Sequence, residues 1–92
     1  MSLEFPDTSP FYDSERRGVR FFAKHGRRTV SCLVSDNAIM DALKLGNADE
    51  QGLVNGYKKL ANRIHAAAAA KFAAGLIESN GMVIVRSVDL AT

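Results

Sequence analysis

Membrane spans, disulfide frameworks and phosphate loops are all missing from this 92-residue chain, and each absence narrows its reading. No apolar run approaches the ~18 residues that a membrane span needs. Cys32 is the only cysteine, so no intrachain disulfide is expected and the fold has to close by packing. The opening MSLEFPDTSP has no basic stretch followed by an apolar one, so no secretory signal is expected. With a lone thiol, that points to the cytoplasm. Both prolines, Pro6 and Pro10, lie near the start, leaving the rest of the chain free of the residue that breaks helices and central strands. No glycine-rich phosphate fingerprint occurs. Gly46 fits a helix end, and Gly52 and Gly56 fit a helix surface or a close helix contact.

What is present is ordinary for a globular protein: 47% hydrophobic and 24% charged residues. A chain this short forms one domain, residues 1–92, burying roughly 60–65% of the surface its unfolded form exposes. Net charge is +2, but its distribution is uneven. Residues 1–15 carry only acids, Glu4, Asp7, Asp13 and Glu15. The segment after them carries only bases: Arg16, Arg17, Arg20, Lys24, Arg27 and Arg28.

Periodicity assigns the elements. Residues 1–15 read as an extended, turn-rich lead-in pinned by Leu3, Phe5, Phe11 and Tyr12, with a short edge strand at Leu3–Phe5. Val19–Lys24 and Thr29–Val34 are β-branched and aromatic runs around His25-Gly26-Arg27-Arg28, a hairpin signal. Alternation puts Val19, Phe21, Ala23, Val30, Cys32 and Val34 on one face. Ser35 caps a short helix ended by Gly46; Asn47, with Glu50 three residues on, caps a long helix over residues 48–76. Leu53, Tyr57, Leu60, Ala61, Ile64, Ala68, Phe72 and Leu76 make that helix amphipathic, so it lies on a sheet. Asn80-Gly81 turns into a strand, residues 82–88. The expected fold is a two-layer α+β domain of order β-β-α-α-β, with a small antiparallel sheet against one short and one long helix.

FPDTSPFYDSERRGVRFFAKHG, then a strand, SDNAIMDAL and an Asn-Arg-Ile-His helix resemble the small bacterial domain-of-unknown-function family 1488 across nearly the whole chain. Its marks are Phe5-Pro6, Tyr12-Asp13, Arg16-Arg17 and Val19-Arg20-Phe21 followed by an aromatic. The resemblance implies a compact two-layer α+β domain with a small antiparallel sheet, and no catalytic residues, cofactor or activity.

The residues themselves offer little chemistry. Cys32, His25 and His65 have no metal-ligand spacing, so no metal and no cofactor is expected. Cys32 sits at an inward strand position, and Ser31 lacks an elbow turn. His65 borders the apolar stripe, and an enzyme reading requires a pocket that gathers it with carboxylates. Two contact areas remain. Phe22, Leu33, Val83 and Val85 are expected to project from the sheet away from the helices, a patch to be covered by the N-terminal segment, a second copy or a protein partner. Arg16, Arg17, Arg20, Lys24, Arg27 and Arg28 form a basic hairpin suited to a polyanion, with Phe22 to stack on a base. The preferred reading is a non-enzymatic accessory or regulatory domain acting by protein–protein contact; the alternative is nucleic-acid binding through the hairpin.

Overall fold

The computed structural model describes residues 3–6 and 10–90; Asp7, Thr8 and Ser9 of the lead-in lie outside them. Its centre is the hairpin of β2 (Gly18–His25) and β3 (Arg28–Ser35), paired from Gly18↔Ser35 to His25↔Arg28. The two-residue turn works because Gly26 takes φ +64°, the positive value that a tight hairpin needs at its first central position. β1 (Phe11–Asp13) adds antiparallel to β2. Further along the same edge Glu4 and Lys24 exchange both backbone hydrogen bonds, at 2.8 and 2.7 Å. The lead-in thus touches β2 twice, at Glu4 and at Phe11–Asp13.

Two helices follow. In α1 (Asp36–Leu43), Ser35 Oγ accepts from the Ala38 N–H at 3.1 Å, as its position predicts. Lys44, not Gly46, takes the left-handed conformation that ends the helix. α2 (Glu50–Ala73) is capped by Asp49, whose Oδ1 accepts from the Gly52 N–H at 2.7 Å, rather than by Asn47. A charged oxygen two residues nearer the stripe is the better acceptor for the helix's positive end. α2 stops before Leu76 because Gly75 turns left-handed: Leu76 N–H bonds to the Lys71 carbonyl and Gly75 N–H to that of Phe72. Leu76, expected in the stripe, is therefore outside the helix and exposed.

β4 (Val83–Val85) lies beside β3 and runs parallel to it, completing a mixed sheet of order β1-β2-β3-β4. The antiparallel expectation is corrected here. Two helices cross the sheet between β3 and β4, and such a crossover returns the chain to the end where β3 began. β4 is also shorter than the expected strand over 82–88, because α3 (Ser87–Leu90) starts behind it. Asp89 Oδ2 accepts from the Arg86 N–H at 2.8 Å, a side chain reaching back to cap a helical turn.

The described elements form a two-layer α+β architecture. Val19, Phe21, Ala23, Cys32, Val34, Val83 and Val85 face the helices and are buried against Ile39, Leu53, Tyr57, Leu60, Ile64 and Ala68. Ala68 lets α2 approach the sheet closely. Gly56 does the same between helices: a Cβ there would stand 2.6 Å from Ile39 Cγ2 and 3.1 Å from Leu43 Cδ1.

Candidate contact surface

Strand alternation leaves one sheet face without helices, and register sets what lies on it. Phe11, Arg20, Leu33 and Ile84 are successive partners across all four strands and form one row; Phe22 and Ser31 are partners in the next. Val83 and Val85, expected on this face, point the other way and are buried in the core. The strand is short and its register against Cys32 and Val34 places Ile84, not its neighbours, outward. Leu33 is on the open side yet only 3% exposed. Its side chain lies across Gly18, where an added Cβ would meet Leu33 Cγ at 2.9 Å. Phe22 is half-buried, and Phe11 remains 45% exposed.

The row is built around Arg20. Its guanidinium carbon stands 5.9 Å from the Phe11 ring centre and 5.8 Å from that of Phe22, and the two rings are 6.3 Å apart. A planar cation among aromatic rings is attracted by their electron-rich faces. Asp13 Oδ2 lies 3.6 Å from Arg20 and 3.7 Å from Arg16, while Asp13 Oδ1 accepts from the backbone N–H groups of Glu15 and Arg16. Among the described residues, Arg20 Nε is buried and has no acceptor. Sequence reasoning had Arg20 in the basic segment and Phe11 as an anchor of the lead-in. It missed that the pairing of β1 puts them side by side; the alternation of Phe11, Tyr12 and Asp13 was the available signal.

The six basic residues are not gathered into one patch. Arg16 and Arg17 sit in the β1–β2 turn, and Arg27 and Arg28 sit at the opposite end of β2, about 20 Å or more away at ~3.3 Å per strand residue. Lys24 stands beside Glu4.

The groups with chemical potential are spent on packing. Burial pushes the Cys32 thiol up to about 12 and the Tyr57 phenol up to about 12, so both stay protonated near neutrality. Tyr57 Oη and His65 Nε2 are 2.8 Å apart, and the His65 ring stacks on Phe5 at 4.1 Å with planes 3° apart. Burial also pulls the His65 pKa down. The cleft beside them, about 320 Å3, is lined among the described residues by Phe5, Pro6, Pro10, Tyr57, Lys58, Ala61 and His65, none of them a carboxylate. Among the described residues no three His, Cys, Asp or Glu side chains come together as a metal site. No described helix is long and apolar enough to cross a membrane.

Comparison with known proteins agrees with this architecture. A search of curated proteins returns no match. The crystal structure of a protein of unknown function from Shewanella loihica PV-4, assigned to the DUF1488 family, superposes with a TM-score of 0.85 over 91% of each chain at 12% identity. At that identity the likeness is one of fold. The family model described as "Protein of unknown function (DUF1488)" matches residues 3–85; the chain belongs to that family.

Proposed function

We propose that this chain is a non-enzymatic accessory module that works by protein–protein contact through the open sheet face. The observation that carries the reading is the Phe11–Arg20–Phe22 cluster: an exposed aromatic, a half-buried aromatic, and an arginine whose donors are mostly unused. Aromatic and arginine side chains dominate the energetics of protein interfaces because they bring large, stiff, amphipathic area. The partner that fits is a protein presenting a carboxylate between apolar side chains. The carboxylate meets Arg20, and the apolar groups cover Phe11, Phe22 and Ile84.

Charge balance favours a protein over a nucleic acid here. Asp13 lies within 3.7 Å of both Arg16 and Arg20 and offsets part of their charge, and Glu78 lies 3.6 Å from Arg86. Both signs are interspersed, whereas polyanion binders concentrate one sign. Quantitative recovery of bound proteins from the producing cells, with wild type and Arg20→Glu compared, tests the reading. One stoichiometric partner lost from the variant supports it. Equal recovery by both, or a self-association by light scattering that Arg20→Glu leaves intact, counts against it. Binding of oligonucleotides with a log–log salt slope of about −0.7 or steeper points instead to phosphate contacts.

A further inference from the structure

A slot of about 500 Å3 runs beside the N-terminal half of β3, separate from the Phe11–Arg20–Phe22 cluster. It exists because β4 begins opposite Cys32, leaving Arg28–Ser31 with no strand of the described residues on that edge. The chain that precedes β4 coils away instead. Glu78 N–H bonds to the Met82 carbonyl and Gly81 N–H to that of Glu78, folding these residues into a tight loop. The volume falls within the roughly 300–1,000 Å3 of small-molecule sites.

The lining is sorted by chemistry. Val30, Phe72 and Ile77 supply apolar surface; His25, Arg28, Thr29, Ser31 and Asn80 supply polar groups. Asn80 Oδ1 is occupied by the Met82 N–H at 3.0 Å, which leaves its NH2 arm as a donor. Among the described residues no carboxylate lines the slot and none ion-pairs with Arg28. The nearest acid along the loop, Glu78, is held by Arg86. The contrast is the other cleft of about 500 Å3, where Arg63 and Lys71 are committed: Arg63 donates to the Leu90 carbonyl at 2.7 Å and Lys71 to Asp89 at 2.9 Å. In the β3 slot the Arg28 guanidinium and the Asn80 NH2 border the apolar floor without a carboxylate of the described residues, while alternation turns the Thr29 and Ser31 side chains to the opposite face of the sheet. A guanidinium and an amide donor over an apolar floor are complementary to one class of ligand.

We propose that the slot between the β3 edge and the 78–82 loop binds a small anion carried on an apolar body, with Arg28 as the charge partner and Phe72 against the apolar part. The proposal is independent of the open-face reading. Phosphate monoesters and carboxylates share the required chemistry, and two probes distinguish them. Phenyl phosphate, benzoate and neutral benzyl alcohol are titrated into 15N-labelled protein. The expected result is saturable shifts of the Thr29, Ser31, Asn80 and Gly81 amides with at least one anion, and none with benzyl alcohol. The tighter anion identifies the source. Arg28→Gln, at an exposed hairpin position, retains the folded spectrum and weakens binding by about tenfold or more, the loss expected for a charge-assisted contact. Absence of shifts up to about 10 mM, weaker than any useful affinity, overturns the proposal. So do equal shifts with benzyl alcohol, or unchanged affinity in Arg28→Gln.

Discussion

Gly56→Ala is a small change with a large predicted cost. On an ordinary helix surface the substitution stabilises by about 1 kcal/mol, because alanine loses less backbone entropy. At this position the new methyl would sit 2.6 Å from Ile39 Cγ2 and 3.1 Å from Leu43 Cδ1, well inside the ~3.5–4.0 Å at which carbon atoms attract. Ile39 cannot give way, being fully buried and β-branched in a helix that allows it essentially one rotamer. Leu43, only half-buried, can move; α1 itself has to shift to relieve the first clash. Overpacking of this kind costs about 1–3 kcal/mol, and contact this short belongs in the upper half of that range. Net of the propensity gain, Gly56→Ala destabilises by about 1–2 kcal/mol. In a domain of this size that lowers Tm by roughly 5–15 °C. Urea melts and calorimetry read it, with Gly46→Ala as control because an added Cβ there meets nothing within 4 Å. A Gly56→Ala protein as stable as wild type would show that α1 and α2 do not pack as closely as described.

Three further outcomes follow from the same packing. Tyr12→Phe removes the 2.9 Å hydrogen bond from the phenol to Asp36 Oδ2, which ties β1 to the start of α1; a loss of about 1–2 kcal/mol is expected in urea melts. His65 has a folded pKa held below its unfolded value by burial, so its contribution to stability is fully present above the unfolded pKa of about 6.5 and is lost as pH falls through the folded value. Melting curves between pH 8 and 5 should therefore fall more steeply for wild type than for His65→Gln; identical slopes would refute the coupling. Cys32, buried and with its thiol pushed up to about 12, should resist a thiol-specific reagent in the native state and react promptly in urea.

The helices and the hairpin were legible because their signals are local. The stripe from Leu53 to Ala68 repeats at the helix period, and Gly26 marks the turn with a backbone requirement few other residues meet. The direction of β4 was not legible. Nothing in Met82–Val88 encodes whether it meets β3 parallel or antiparallel; that depends on how far the two helices carry the chain. The same limit explains Val83 and Val85: a run apolar at every position cannot declare which residues face inward until register is fixed. Cap residues were near misses, Asp49 for Asn47 and Lys44 for Gly46, because neighbouring residues compete for one role and geometry decides. The open face was half legible. Alternation set Arg20 and Phe22 outward, but the neighbour that completes the cluster, Phe11, comes from a strand of three residues too short to announce itself.

The contact reading rests on the Phe11–Arg20–Phe22 cluster, and a photo-crosslinking side chain placed there tests it in the producing cell. Benzoylphenylalanine at position 11 replaces one aromatic ring with a larger one at an exposed site, and the same group at exposed Lys59 on α2 provides the reference. The account predicts one discrete protein adduct from position 11, abolished by Arg20→Glu and absent from position 59. Matching adducts from both positions, or a nucleic-acid adduct from position 11, would contradict it.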